Sequence, residues 1–146
     1  LIIEKESTKI SISDDMKSIK QVVKFKANPE EVYSALMSSK KHSQFTGSTA
    51  KISTKVGGKF SAYEGGLYGK NLILVKNKKI VQEWRCEMNE WPKDHYSKII
   101  FLIKKTKDGS ELIFTQTGVP DKCYASIKQG WIDYYWNSMK KFFDSK

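Results

Sequence analysis

The sequence predicts an α+β domain: a curved antiparallel sheet of about six strands wrapped on one long C-terminal helix, with a short helix pair after the first strand. Three observations carry this reading. From Thr49 to Val119 the chain alternates apolar and polar residues in short runs separated by turn residues. The stretch GWIDYYWNSMKKFF, Gly130 to Phe143, packs aromatics at helical spacing. Between the first strand and the alternating region stands a strong helix start, Asn28-Pro29-Glu30-Glu31.

In chain order, residues 1–18 read as a polar arm with weak alternation in KISIS, and residues 19–146 as the folded domain. Ile19 to Phe25 partly alternates and is the first strand. Asn28 is placed to cap the first helix, Pro29 to occupy its first position, and the two glutamates to meet the positive end of its dipole. Val32, Tyr33, Leu36 and Met37 then form its apolar stripe, and KKHSQF is a second short helix. TAKIST, GKFSAYE, LYGKNLILV and KIVQEWRCEM follow as strands, divided by Gly57-Gly58, Gly65-Gly66 and Asn77-Lys78. HYSKIIFLIKK and ELIFTQTGV flank Asp108-Gly109, a hairpin signal. Pro120 ends the sheet, and Asp121 is the expected N-cap of a helix running to about Phe143.

At about 100° per residue, Tyr124, Ile127, Trp131, Tyr135, Ser138 and Phe142 share one face of that helix. Tyr134 lies on one flank; Ile132, Trp136, Met139 and Phe143 extend the other. Gln129, Asp133, Asn137 and Lys140 make the polar arc. So wide an apolar arc suits a helix touched on several sides by a curved sheet. It leaves three uses open for the aromatics: core, a ligand cavity lined by Trp84, Trp131, Tyr134 and Tyr135, or a partner surface on an outer flank at Trp136 and Phe143.

The formal net charge is +10, which first suggests nucleic acid. The kind of base opposes it. Of 26 basic residues only Arg85 is arginine, the residue suited to bidentate phosphate and guanine contacts. The lysines are spread along the chain and read as a cationic surface that speeds encounter with an acidic partner. No run approaches the ~20 apolar residues of a membrane span, and LIIEKESTKI lacks the apolar stretch of a secretory signal. Cys86 and Cys123 stand far apart without metal-ligand spacing, so free thiols in a reducing compartment are expected, with Cys86 in the core.

Catalytic chemistry is not expected. His42 and His95 are the two histidines, neither with ligand spacing, and both read as solvated. GxSxG, GxGxxG and P-loop patterns are absent, and the glycines of GGKF and EGGLYG read as turns or bulges. Glu30-Glu31 belongs to a helix first turn and Asp14-Asp15 to the arm.

NPEEVYSAL, GGKFSAYEGGLYGKN, NKKIVQEWR, the run from Trp91 to Ile99, ELIFTQTGVP and GWIDYYWNSMKKFF occur in this order. Together, over about Ile19 to Phe143, they resemble the C-terminal-type domain of the activator of heat-shock protein 90 ATPase. The resemblance implies the START-like helix-grip fold, in agreement with the element order above. It also implies a cytoplasmic, monomeric co-chaperone module without cofactor, whose domain favours the closed, hydrolysis-competent state of the chaperone. The tryptophan- and asparagine-rich motif of the family's N-terminal domain is absent from this chain. The loop residues Trp91, Lys93, Asp94 and His95 are candidate partner contacts, against the alternative that Trp91 packs on the sheet. An apolar ligand in the cavity is the competing reading.

Overall fold

Local sequence chemistry places the first elements as expected. The computed structural model describes residues 16–145; the arm's KISIS segment and Asp14-Asp15 lie outside the described residues. β1 runs Met16–Phe25, beginning before the expected Ile19. α1 is Pro29–Met37 and α2 is Ser39–Thr46. Asn28 Oδ1 accepts the Glu31 amide at 2.9 Å, and Glu31 Oε1 accepts the Asn28 amide at 3.3 Å, a reciprocal capping box. Val32, Leu36 and Met37 of the expected stripe are buried, and Tyr33 packs against them half-buried.

The remaining strands are β2 (Lys51–Ile52), β3 (Lys59–Ala62), β4 (Leu67–Val75), β5 (Lys79–Cys86), β6 (Ser97–Thr106) and β7 (Gly109–Pro120). They form one seven-stranded antiparallel sheet in the order β1-β7-β6-β5-β4-β3-β2. The first strand therefore pairs with the last. Bulges between Lys17 and Ile19, and between Asn71 and Ile73, shift the register and bend their strands. Gly109 is required where the β6–β7 hairpin meets the end of β1, because a Cβ there would stand 2.2 Å from the Phe25 carbonyl oxygen. TAKIST contributes only the two residues of β2. The adjoining Ser53 and Lys55 carbonyls instead accept the buried Asn71 side chain at 2.8 and 3.0 Å.

After β7 the chain makes a 3₁₀ turn at Asp121–Cys123 and enters α3 at Tyr124. Asp121 is not its N-cap; its carboxylate pairs with Lys17 at 2.9 Å and ties the turn to β1. α3 is continuous through residues 124–144, with an α-helical Tyr124–Gly130, a π-helical Trp131–Trp136 and an α-helical Asn137–Asp144. The widening is read from the backbone: the Asn137 amide donates to the Ile132 carbonyl, five residues back. In an α-helix, residues five apart differ by about 140° around the axis. A five-residue hydrogen-bonded turn brings Trp131 and Trp136 to the same side instead. Their indoles stack at 5.5 Å and 18°, over Phe114 and Phe101 of the sheet. The expectation of an exposed Trp136 is thereby corrected: it is 3% exposed. The polar arc Gln129, Asp133, Asn137 and Lys140 faces solvent as expected.

His42 is not solvated. It is buried on α2, with Nδ1 at 3.2 Å from the Leu36 carbonyl and Nε2 at 2.9 Å from the Tyr135 hydroxyl. A carbonyl only accepts, so Nδ1 carries the proton and Nε2 accepts from Tyr135. Burial lowers the His42 pKa to about 4, partly opposed by the Leu36 carbonyl. The unfolded chain then binds more protons between about pH 4 and the ordinary histidine value near 6.5. Stability is full above about 6.5 and declines as pH falls toward 4, by about 3 kcal/mol from this group. Urea unfolding at pH 7.5 and 4.5 checks this: His42→Gln should show a shallower loss than wild type, and equal pH slopes would contradict it.

Candidate functional site

Three polar pins fix α3 against the sheet and α2. The Trp131 indole donates to Gln116 Oε1 at 2.8 Å, Gln116 Nε2 donates to Ser97 Oγ at 2.9 Å, and Ser97 Oγ donates to the Trp84 carbonyl at 2.9 Å. Gln116 is fully buried, so this chain replaces the water it lost on folding. The Trp136 indole donates to Gln21 Oε1 at 2.7 Å, and Gln21 Nε2 returns to the Lys128 carbonyl at 3.0 Å. The third pin is Tyr135 to His42.

Beside these pins, between α3 and strands β4 and β5, lies a cavity of about 410 Å³. Trp84, Trp131, Tyr134 and Tyr135 all line it, with Tyr63, Leu67 and Ile127. Small residues on the helix, Ser126 and Gly130, leave the space open. Gly69 permits the close approach of β4 to β5, since a Cβ there would meet the Glu83 carbonyl at 1.9 Å. Tyr63 donates to the Tyr134 carbonyl at 3.2 Å, joining the turn after β3 to the helix across the cavity mouth.

The polar groups of the cavity are occupied or neutral. Burial raises the Tyr63 hydroxyl to about 12 and pushes the Tyr135 hydroxyl well above its ordinary value. Cys86, expected in the core, is half-buried on the cavity wall, and burial raises its thiol to about 11. Glu87 at the rim accepts from Tyr68 and from Arg85 Nε at 3.3 Å. The Tyr68 hydrogen bond, helped by Arg85, lowers its pKa. The walls therefore suit a neutral, largely apolar molecule with flat rings. Sequence reasoning missed Tyr63, Leu67 and Met88 as wall residues, because only the β3–β4–β5 register brings them beside α3.

The loop after β5 is braced from within. Trp91 is 5% exposed, packs on Trp84 at 5.6 Å and donates its indole N–H to the His95 carbonyl at 2.8 Å. It packs on the sheet, leaving little of its ring for a partner. Arg85 also reaches the Pro92 and His95 carbonyls. His95, expected to be solvated, is half-buried, and its Nε2 donates to the Gly118 carbonyl at 2.6 Å. Lys93 and Asp94 remain exposed at the tip. Phe143 is half-buried, edge-on to Phe25 at 5.4 Å. Trp91, Lys93, Asp94 and His95 are thus on one loop, while Trp136 and Phe143 belong to the packing of α3. Among the described residues no group of three His, Cys, Asp or Glu side chains is placed to hold a metal, and no helix is long and apolar enough to cross a membrane.

The Gln116 chain makes a direct prediction. Gln116→Leu leaves the Trp131 N–H without its acceptor and takes the donor from Ser97 Oγ, whose own O–H still bonds the Trp84 carbonyl, and should cost roughly 2–4 kcal/mol in urea unfolding. Thr117→Ala, on the exposed side of the same strand, should stay within about 0.5 kcal/mol. A Gln116→Leu loss under about 1 kcal/mol would contradict the assigned role.

A family model described as "Activator of Hsp90 ATPase homolog 1-like protein" matches residues 26–144. The human activator of 90 kDa heat shock protein ATPase homolog 1 is 30% identical over 119 residues, covering 82% of this chain and 35% of the human protein. The Dictyostelium discoideum homolog is 32% identical over 118 residues, 79% of this chain and 30% of that protein. The chain thus spans about a third of the length of these relatives. Among solved structures, an HSP90 activator from Plasmodium falciparum superposes with a TM-score of 0.75 at 24% identity, over 86% of this chain and 94% of that one. The Aha1 dimer from Colwellia psychrerythraea gives 0.74 at 20% identity, over 87% and 96%. These two likenesses show a common fold, the helix grip. With the family match running from the start of α1 to the end of α3, the chain belongs to the family of activator of Hsp90 ATPase homolog 1-like proteins.

Proposed function

We propose that this domain is a non-enzymatic co-chaperone module that binds heat-shock protein 90 in the cytoplasm and raises its ATPase activity by favouring the closed state. The observation that carries the reading is the family match over residues 26–144, which takes in both α1 and the whole gripped helix. The two free thiols and the cationic surface support it. The domain acts as a monomer. Stimulation requires that it bind the closed state of the chaperone more tightly than the open one, and the gain is bounded by that difference. Adding the purified chain should raise the chaperone's ATP turnover saturably, and its affinity should be higher when the chaperone is held closed by a non-hydrolysable nucleotide. Neither binding nor stimulation at high micromolar concentration would sink the reading.

The cavity supports a second reading, a carrier of a neutral apolar molecule. Its observation is the aromatic wall around about 410 Å³, within the range of small-molecule sites. The neutral fluorophore N-phenyl-1-naphthylamine should then bind saturably and quench tryptophan emission, since Trp84 and Trp131 stand on the wall. Absence of saturable quenching, with native mass spectra showing the bare chain alone, would count against it.

A further inference from the structure

The sheet has a second face, turned away from α3, and its register places an unusual pattern there. Side chains alternate across a sheet, so the partners of buried Ile19, Val23 and Phe25 point inward while Lys20, Val22 and Lys24 point out. Following the pairings across the sheet, Val22 lies opposite Ile113, Ile113 opposite Leu102, and Lys79 links that row to Val75. The next row runs Lys20, Thr115, Ile100, Val81 and Ile73. These two rows make an apolar band crossing five strands, in which Val81 is buried among its neighbours at 2% exposure and Ile100, Leu102 and Ile113 are half-buried. Val22, Ile73 and Val75 are 54%, 45% and 43% exposed, so no element of the described chain covers its ends.

Lysines bracket the band. On one side the register gives Lys24, Glu111 and Lys104; on the other it gives Lys98, Glu83, Lys70 and Lys59. With Lys20 and Lys79 inside the band, seven lysines stand against two glutamates, and none of the seven forms an ion pair with a described carboxylate. An apolar strip framed by lysines that pair with no described carboxylate complements an apolar ridge flanked by carboxylates.

We propose that this outer sheet face is the docking surface for a protein partner carrying an apolar ridge with acidic flanks; taking heat-shock protein 90 as that partner rests on the family reading above. The residue types select protein over the other anionic surfaces. The band holds Val, Ile, Leu and Thr but no Trp or Phe, the side chains that anchor a surface in a lipid interface. The two rows themselves contain no arginine and no aromatic ring on which bases could stack. On the same face, beyond Glu83 and Lys70, Arg85 and Tyr68 bond to each other, to Glu87 and, through Arg85, to the Pro92 and His95 carbonyls, with the exposed Tyr96 ring edge-on to Tyr68. The one arginine is thus already engaged within the protein. The site is also separate from the cavity, which lies on the other face of the sheet.

The test measures chaperone binding by the full chain and three variants, with thermal melts confirming each fold. Lys20→Glu/Lys98→Glu should weaken the Kd tenfold or more and flatten its salt dependence. Val22→Ser/Ile73→Ser/Val75→Ser, which keeps every charge, should also weaken it about tenfold. Lys140→Glu, on the solvent side of α3, should leave it within twofold. Wild-type binding that both face variants preserve would overturn the docking surface and leave the co-chaperone reading standing. No wild-type binding at high micromolar chaperone would overturn both. Two other occupants are measured on the same proteins: phosphatidylserine vesicles, and self-association by sedimentation. Lysine- and band-dependent binding in either, with chaperone binding unaffected by the substitutions, would likewise overturn the proposal.

Discussion

The fold depends on one local departure from α-helical geometry. The π turn in α3 allows Trp131 and Trp136 to stack on each other and on the sheet at once. Each buried aromatic of this size hides about 150–250 Å². Two of them together are worth on the order of 10 kcal/mol as an upper limit at ~25 cal/mol per Å². That is comparable to the whole net stability of an ordinary domain. An α-helical turn would point one indole away from the sheet, so the cost of the wider turn is offset by a far larger burial.

The cavity follows from the same arrangement. α3 is held at Trp131, Tyr135 and Trp136 by pins reaching β7, α2 and β1. These pins fix where the helix lies along the sheet. On the side toward β4 and β5 the helix offers Ser126 and Gly130, too small to fill the space left before Leu67 and Cys86. The opening is therefore set by which helix residues are large and which are small, with the hydroxyls of Tyr63 and Tyr135 already engaged within the protein. The face that meets the helix and the face that meets solvent are built from alternate residues of the same strands. A residue such as Gln116 holds the core while its neighbour Thr115 sits in the outer rows.

Much of the fold was legible because its signals are local. The N-cap at Asn28, the turn at Asp108-Gly109 and the bounds of β4 each depend on a few adjacent residues. What stayed hidden depends on geometry or distance. A fixed 100° per residue put Trp136 on a flank, and no sequence pattern announced the π turn. His42 sits in the polar stretch KKHSQF, and the hydroxyl that explains its burial comes from Tyr135, 93 residues later. Asp121 looks like a cap but finds Lys17 of β1. Trp91 and His95 belong to a loop whose hydrogen bonds run to Gly118 and back onto itself. The cavity's aromatic residues could be singled out as a class, whereas the apolar band on the outer face needed the strand register to assemble.

The measurement that tests this account most directly is a through-hydrogen-bond scalar coupling in the labelled chain. The amide nitrogen of Asn137 should couple to the carbonyl carbon of Ile132, with the Trp131 and Trp136 indole protons in strong mutual nuclear Overhauser contact. Coupling of Asn137 to the Asp133 carbonyl instead, with the two indoles apart, would show an ordinary α-helix and contradict the account.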